Sequence, residues 1–213
     1  MRVDIWSDVV CPWCYVGKRR FEAALARFPH RDDVEVRWRS FELDPRAPRL
    51  RTDDRIEHLS AKYGIDREQA EAMDRRITEA GREAGLELRL AATRGGNSFD
   101  AHRLLHLAAE HDRAAALKER LLQAYFTDGE PIGDPEVLAR LAVEVGLPAA
   151  EVDNVLAGDR YAEAVRADER YAQALGATAV PFFVIDETYG IAGAQPPQVF
   201  LNVLERAWSE RPD

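Results

Sequence analysis

Sulfur and long apolar stretches are both scarce in this sequence. Its 213 residues include two cysteines and two methionines. No run of about 18 apolar residues is present that could span a membrane. The first residues, MRVDIWSD, alternate like a strand instead of forming the apolar core of a signal peptide. These absences predict a cytoplasmic protein with no membrane-spanning segment.

Positive charge is also in short supply. The chain has 29 basic and 38 acidic residues, which gives a formal net charge of −9. Because a protein needs a surplus of cations to neutralise nucleic-acid phosphates, a nucleic-acid partner is not expected. The hydrophobic fraction of 46% is typical of a globular protein. A chain of this length can bury a hydrophobic core large enough to fold without stabilising disulfide bonds.

The pattern of apolar residues predicts a sheet interrupted by helices. The predicted strands are residues 3–6, 34–43, 180–186 and 189–193, and the helices that accompany them are 12–28, 160–175 and one that opens at Pro196 and Pro197. Between them, residues 52–158 have a helical pattern except at 86–90. We therefore predict an α/β fold of order β-α-β and β-β-α. Residues 1–48 and 159–213 form one domain, and residues 49–158 form an all-helical insertion.

The two cysteines lie three residues apart, in WSDVVCPWC, where the first predicted strand gives way to a helix. Residues i and i+3 share a helix face, so the sulfurs of Cys11 and Cys14 can meet. Pro12 suits the first helical turn, which puts Cys11 at or next to the N-cap. There the free N–H groups and the positive end of the helix dipole favour a thiolate. We assign Cys11 as the attacking thiol and Cys14 as the resolving thiol of a disulfide-exchange reaction.

Two other interpretations of the cysteine pair stay open at this point. A structural zinc site needs four ligands, and the chain has no second cysteine pair. His102 and His106, one turn apart on a predicted helix, could complete a Cys2His2 set only if they met the cysteines. The pair could also be buried and inert. Because a cytoplasmic cysteine pair is more often catalytic than structural, we expect a redox pair and no metal.

Further motifs make the chain resemble a known family. CPWC at the end of the first strand, Val180–Pro181 before a late strand, and the helical block between them resemble the DsbA-like branch of the thioredoxin superfamily. The segments FELDP (41–45), NSFDAHRL (97–104) and GAQP (193–196) are similar to its FrnE-like subgroup. The resemblance implies a thioredoxin fold with a helical insertion and a dithiol–disulfide oxidoreductase activity.

The same resemblance suggests further site residues. It implies a cis Val180–Pro181 peptide beside the cysteines, with the backbone of Val180 available to hydrogen-bond an extended substrate. Without the resemblance, Pro181 would be taken as a proline that opens a strand. One departure is Ala179, where relatives often have glycine.

Four side chains complete the set of predicted contacts. Pro12 and Trp13 are expected to contact substrate, with Trp13 exposed. The resemblance implies that Phe99 and His102, at the start of a helix in the insertion, contact substrate or relay protons. Lys18 is expected to be a solvated lysine.

Two further functions compete with the oxidoreductase. Kappa-class glutathione transferases and hydroxychromene-carboxylate isomerases resemble this architecture, but they carry serine at the first motif position, where this chain has Cys11. A chaperone-like or metal-holding binding module is the other alternative. For the oxidoreductase we expect no cofactor beyond the redox-active disulfide, with glutathione as a candidate co-substrate. The expected partners are thiol- or disulfide-containing proteins or small molecules, and a homodimer is compatible with the sequence.

Overall fold

The computed structural model describes residues 1–211 of the chain, which fall into two compact units. The sheet unit comprises residues 1–43 and 166–211, and the helical unit comprises residues 44–165. The boundaries predicted from the sequence are 48/49 and 158/159. Residues 212 and 213, predicted to belong to the domain with the sheet, lie outside the described residues.

The helices and strands follow the predicted order of types along the chain. They are β1 (Arg2–Ser7), α1 (Pro12–Leu25), β2 (Glu35–Ser40), α2 (Arg55–Tyr63), α3 (Arg67–Glu83), α4 (Phe99–Glu110), α5 (Ala114–Gln123), α6 (Pro135–Glu144), α7 (Ala149–Ala157), α8 (Ala162–Ala174), β3 (Phe182–Ile185), β4 (Tyr189–Ala192) and α9 (Pro197–Ser209). The α/β fold with a helical insertion is confirmed. Of the described helices, none is both long and apolar enough to cross a membrane.

The sheet has four strands in the order β2-β1-β3-β4. β1 runs parallel to β2 and antiparallel to β3, and β4 is the hairpin partner of β3. Because side chains alternate between the faces of a strand, β1 sends Val3 and Ile5 to one side and Trp6 to the other. Two separate apolar clusters follow from this alternation.

The larger cluster packs α1 and α9 against the sheet. Val3 and Ile5 meet Phe21 of α1, Phe183 of β3 and Phe200 of α9, and all five are at most 2% exposed. The three phenylalanine rings lie with centroids 4.6–5.8 Å apart, within the range in which aromatic pairs attract. This packing fixes α1, and with it the helix start that carries the cysteines.

The helical unit is built around α4, which contacts α5, α6 and α7. Its core is made of fully buried leucines at helical spacing: Leu104, Leu107, Leu117, Leu121, Leu138 and Leu141. Arg103 of α4 is also buried, and it donates to the carbonyl oxygens of Val155, in the last turn of α7, and of Gly158 and Arg160, which follow that helix. The extended segment predicted at 86–90 leads into a 3-10 turn at Leu90–Ala92.

Candidate active site

Cys11 is the N-cap residue of α1. Its backbone is extended (φ −95°, ψ 112°), Pro12 follows at the first helical position, and the N–H of Cys14 donates to the carbonyl of Cys11 at 3.0 Å. The side chain of Cys11 makes no capping hydrogen bond, and no acidic residue lies in the first turn of α1. The sulfur of Cys11 therefore sits at a helix N-terminus whose positive potential no carboxylate of that turn offsets.

Both thiols are buried, and Cys11 is the more exposed of the two. Cys11 is 5% exposed and Cys14 is 1% exposed, and the two form no disulfide in this structure. They belong to the smaller apolar cluster, with Trp6, Ala177 and Val180. A substrate that reacts with the pair therefore meets Cys11 before Cys14.

The Val180–Pro181 segment lies directly beside Cys11. Its peptide bond is cis, and the Cys11 Sγ–H donates to the carbonyl oxygen of Val180 at 3.6 Å, although 169 residues separate the two. The Pro181 carbonyl in turn accepts from the N–H of Gly193 at 2.8 Å, at the end of β4. Cys11, Val180 and Pro181 are thus brought together as the sequence analysis expects.

The residues around the cysteines have contrasting exposure. Trp13, between the two thiols, is 37% exposed, as expected, and Pro12 is half-buried. The expectation that Lys18 is solvated is wrong: it is 4% exposed, and its Nζ forms an ion pair with Glu22 at 2.5 Å. The physical reason is that Lys18 lies four residues after Cys14 and therefore shares the inward face of α1.

Asp8 is a site residue that the sequence analysis missed. Its side chain is fully buried and accepts from the N–H of Leu43 at 2.7 Å and of Val10 at 3.3 Å. Its backbone carbonyl accepts from the N–H of Cys11 at 3.3 Å. Asp8 therefore ties the loop that carries Cys11 to the segment that follows β2. The signal in the sequence was a carboxylate between a buried strand and the first cysteine.

Asp168 of α8 forms hydrogen bonds with residues of β2 and with Trp6, which belongs to the same apolar cluster as the thiols. Its carboxylate accepts from the N–H of Ser40 at 2.9 Å and from Arg39 at 3.1 Å, and its carbonyl accepts from the Trp6 indole N–H at 2.9 Å. Burial opposes the charge of Arg39, but hydrogen bonds and charge attraction from Asp4 and Asp168 outweigh it and raise the pKa of Arg39. The network keeps Trp6 packed in the cysteine cluster.

Phe99 and His102 lie in the helical unit, at the start of α4. The N–H of Phe99 donates to the Asn97 side chain at 2.9 Å, and the guanidinium of Arg103 lies over the Phe99 ring. His102 is fully buried. Their assignment as substrate contacts stays a prediction. Over residues 1–211, no group of three or more His, Cys, Asp or Glu side chains is placed to hold a metal ion.

A family model and a solved structure match nearly the whole chain. The model of the DSBA-like thioredoxin domain matches residues 2–205. The crystal structure of the probable DsbA oxidoreductase SCO1869 from Streptomyces coelicolor is 51% identical, with a TM-score of 0.95. That match covers 100% of this chain and 92% of the other.

Two more distant structures share the fold. The cytosolic disulfide reductase DsbM from Pseudomonas aeruginosa, solved with GSH, is 19% identical with a TM-score of 0.67, and the match covers 98% of this chain and 100% of the other. A 2-hydroxychromene-2-carboxylate isomerase is 14% identical with a TM-score of 0.70, and the match covers 98% of this chain and 95% of the other. The thioredoxin fold expected from the sequence is confirmed.

Proposed function

The chain belongs to the DSBA-like thioredoxin domain family, and we propose that it is a thiol–disulfide oxidoreductase whose redox centre is the Cys11–Cys14 pair. In this proposal Cys11 is the nucleophile, Cys14 is the resolving thiol, and Val180–Pro181 positions the substrate. Pro12 and Trp13 supply contacts next to the reacting sulfur. The assignment to the FrnE-like subgroup stays a prediction.

The observation that carries the proposal is the placement of the Cys11 sulfur. It lies at the uncapped N-terminus of α1 and 3.6 Å from the carbonyl oxygen of Val180. The helix terminus favours the thiolate, which is the form that attacks disulfides. A backbone carbonyl so close to the sulfur can hold an extended substrate alongside it.

The proposed cycle is two consecutive thiol–disulfide exchanges. The Cys11 thiolate attacks a substrate disulfide, one sulfur of which leaves as a thiolate, and a mixed disulfide forms. The Cys14 thiolate then attacks the Cys11 sulfur, releasing the second substrate thiolate and forming the Cys11–Cys14 disulfide. Two glutathione thiols return the pair to the dithiol and leave as glutathione disulfide. Run in reverse, the same steps oxidise a substrate dithiol, so the direction follows from the reduction potential of the pair relative to its compartment.

We place this activity in the cytoplasm, with glutathione as co-substrate and proteins or small molecules that carry thiols or disulfides as partners. DsbM, which shares the fold, is a cytosolic disulfide reductase solved with GSH. In a reducing compartment, cysteine pairs that form disulfides are usually transient and catalytic. This setting favours an exchange enzyme over a structural cysteine pair.

The test is the reduction of insulin disulfides by the purified full chain with glutathione as reductant. We expect turnover by the wild type and none by Cys11→Ser. We expect Cys14→Ser to accumulate a mixed disulfide on Cys11, which mass spectrometry under non-reducing conditions detects. If both variants turn over insulin at the wild-type rate, the proposal fails.

The glutathione-dependent transferase or isomerase remains the second candidate, because the isomerase shares the fold. This chain has Cys11 where those enzymes have serine, which disfavours the second candidate. The transferase or isomerase reaction also needs no second thiol. Conjugation of glutathione to an electrophile at a rate that survives Cys14→Ser would favour this candidate. The binding module would be favoured by zinc bound in stoichiometric amount and lost when the thiols are alkylated.

A further inference from the structure

Gly17 stands in the middle of α1, where a glycine lowers helix stability by roughly 1 kcal/mol relative to alanine. Its backbone is not in the left-handed region, so conformational freedom does not explain it. A Cβ atom built on Gly17 would lie 2.8 Å from Cγ of Pro181 and 3.5 Å from the Cβ of Ala194. The glycine therefore serves close packing between α1 and two other segments of the sheet unit.

The ring of Pro181 has little freedom to move away from α1. It is fused to the backbone, and the carbonyl of Pro181 accepts from the N–H of Gly193 at 2.8 Å. The next residue, Ala194, is tied back to α1, because its carbonyl accepts from Nη1 of Arg20 at 2.7 Å. Pro181 is thus hydrogen-bonded to segment 193–194, which is in turn bound to α1 through Arg20.

The contact between Pro181 and α1 lies close to the reacting sulfur of Cys11. The carbonyl of Val180, one peptide bond before Pro181, lies 3.6 Å from Cys11 Sγ, and Cys11 itself begins the helix that carries Gly17. Carbon atoms pack at about 3.5 Å or more, so a methyl group at Gly17 would have to push the Pro181 ring back by roughly 0.7 Å. Reacting groups misplaced by about 1 Å can lose on the order of 100-fold in rate.

We propose that Gly17 is a positioning residue for disulfide exchange: the space left by its missing side chain sets the distance between the Val180 carbonyl and the Cys11 sulfur. Arg20 supports the same geometry by holding segment 193–194 against α1. The GAQP segment, singled out in the sequence, contains both Gly193, which donates to the Pro181 carbonyl, and Ala194, which accepts from Arg20. The inference rests on the proposed exchange activity.

The test compares Gly17→Ala with the wild type in two reactions of the full chain. We expect kcat/KM for reduction of a peptide disulfide to fall roughly 10- to 100-fold. The rate at which iodoacetamide alkylates Cys11 should not fall, because that small reagent needs no alignment by Val180. A crystal structure of the variant should show the Val180 carbonyl displaced from Cys11 Sγ.

Two further variants serve as a control and as a substitute in case Gly17→Ala does not fold. Gly190→Ala, on β4, places its Cβ in ordinary contact with Phe182 at 3.4 Å and should keep wild-type kcat/KM. Arg20→Met keeps the packing of the aliphatic stem but removes the bond to Ala194, and it should show the same pattern as Gly17→Ala with a smaller loss. It serves as the reporter if Gly17→Ala does not fold.

The outcomes separate this inference from the proposed function. Wild-type turnover together with an unchanged kcat/KM in Gly17→Ala, or in Arg20→Met where Gly17→Ala does not fold, would overturn the positioning role alone. A parallel fall in kcat/KM and in Cys11 alkylation would also overturn it, since the sulfur itself would then be impaired. No turnover by the wild type would overturn the proposed function and the positioning role together.

Discussion

The start of α1 and the starts of three helices in the helical unit are built in opposite ways. α2, α3 and α6 each begin at an aspartate whose side chain accepts from backbone N–H groups of the first turn (Asp54, Asp66 and Asp134), and each has a glutamate in that turn (Glu57, Glu68 and Glu136). α1 begins at Cys11 with no side-chain cap and no acidic residue.

The difference distinguishes helix N-termini that stabilise the fold from one that lies beside a reactive side chain. An aspartate cap satisfies N–H groups and neutralises the positive end of the dipole. At α1 the same groups lie beside the sulfur of Cys11, the atom that attacks in the proposed exchange. The nearby carboxylate of Asp8 lies before the helix and accepts from the N–H groups of Val10 and Leu43.

The largest expected effect comes from giving α1 an ordinary cap. Serine is among the preferred N-cap residues, so Cys11→Ser should raise the free energy of unfolding by up to about 1 kcal/mol. The same change should lower insulin-reduction turnover by on the order of 10³-fold or more. Urea unfolding and the turnover assay measure the two effects. Retained turnover, or a loss of stability, would contradict the contrast between the helix starts.

The next effect tests whether the side chain of Asp8 stabilises the loop that carries Cys11. Asp8→Ala removes the acceptor of two partly buried N–H groups, those of Val10 and Leu43, and the free energy of unfolding should fall by about 1–3 kcal/mol. Asp8→Asn keeps an acceptor oxygen and should lose less than half as much. Equal losses in the two variants, measured by urea unfolding, would mean that the charge of Asp8 matters and not its two hydrogen bonds.

A smaller effect is expected at a capped helix. Asp66 and Gln69 form a reciprocal capping box at the start of α3, with bonds of 2.8 and 3.1 Å. Asp66→Ala should lower the free energy of unfolding by about 1 kcal/mol, and Asp66→Asn by only a few tenths. Turnover should be unchanged in both variants. A change in turnover would link this helix start to the chemistry, which the contrast excludes.

The smallest effect comes from placing an acid in the first turn of α1. In a Cys14→Ser background, Trp13→Glu should slow iodoacetamide alkylation of Cys11 at neutral pH by roughly two- to fivefold relative to Trp13→Gln. The carboxylate would oppose the negative charge that the sulfur acquires on losing its proton. High salt should shrink the difference, because Trp13 is exposed. Equal rates at low salt would argue against a role for the helix terminus.

The features predicted from the sequence are those encoded by neighbouring residues. The alternation of Val3, Ile5 and their neighbours identifies β1, and Pro12 marks the start of α1. The order of strands and helices follows from the same local patterns. The burial of Lys18 was missed although its helical spacing from Cys14 places both on one face of α1, because lysine side chains are almost always exposed.

Contacts between segments far apart in the sequence could not be predicted from local patterns of residues. The approach of Val180 to Cys11 was expected only through the family resemblance, since no local pattern links residues so far apart. Asp8 and Gly17 were missed for the same reason, because their partners are Leu43 and Pro181. Glycine inside a helical pattern is a sign of close packing, but it does not name the segment that packs there.

The separation of Cys11 and Val180 has a consequence for how the protein is made. A ribosome that adds roughly 5–20 residues per second finishes Cys11 and Cys14 about 10–30 s before it reaches Val180. During that interval both thiols are present on the nascent chain without the carbonyl that will lie 3.6 Å from Cys11. The finished site is thus assembled only when the last part of the chain is synthesised, and an incomplete chain carries the thiols without the partner segment.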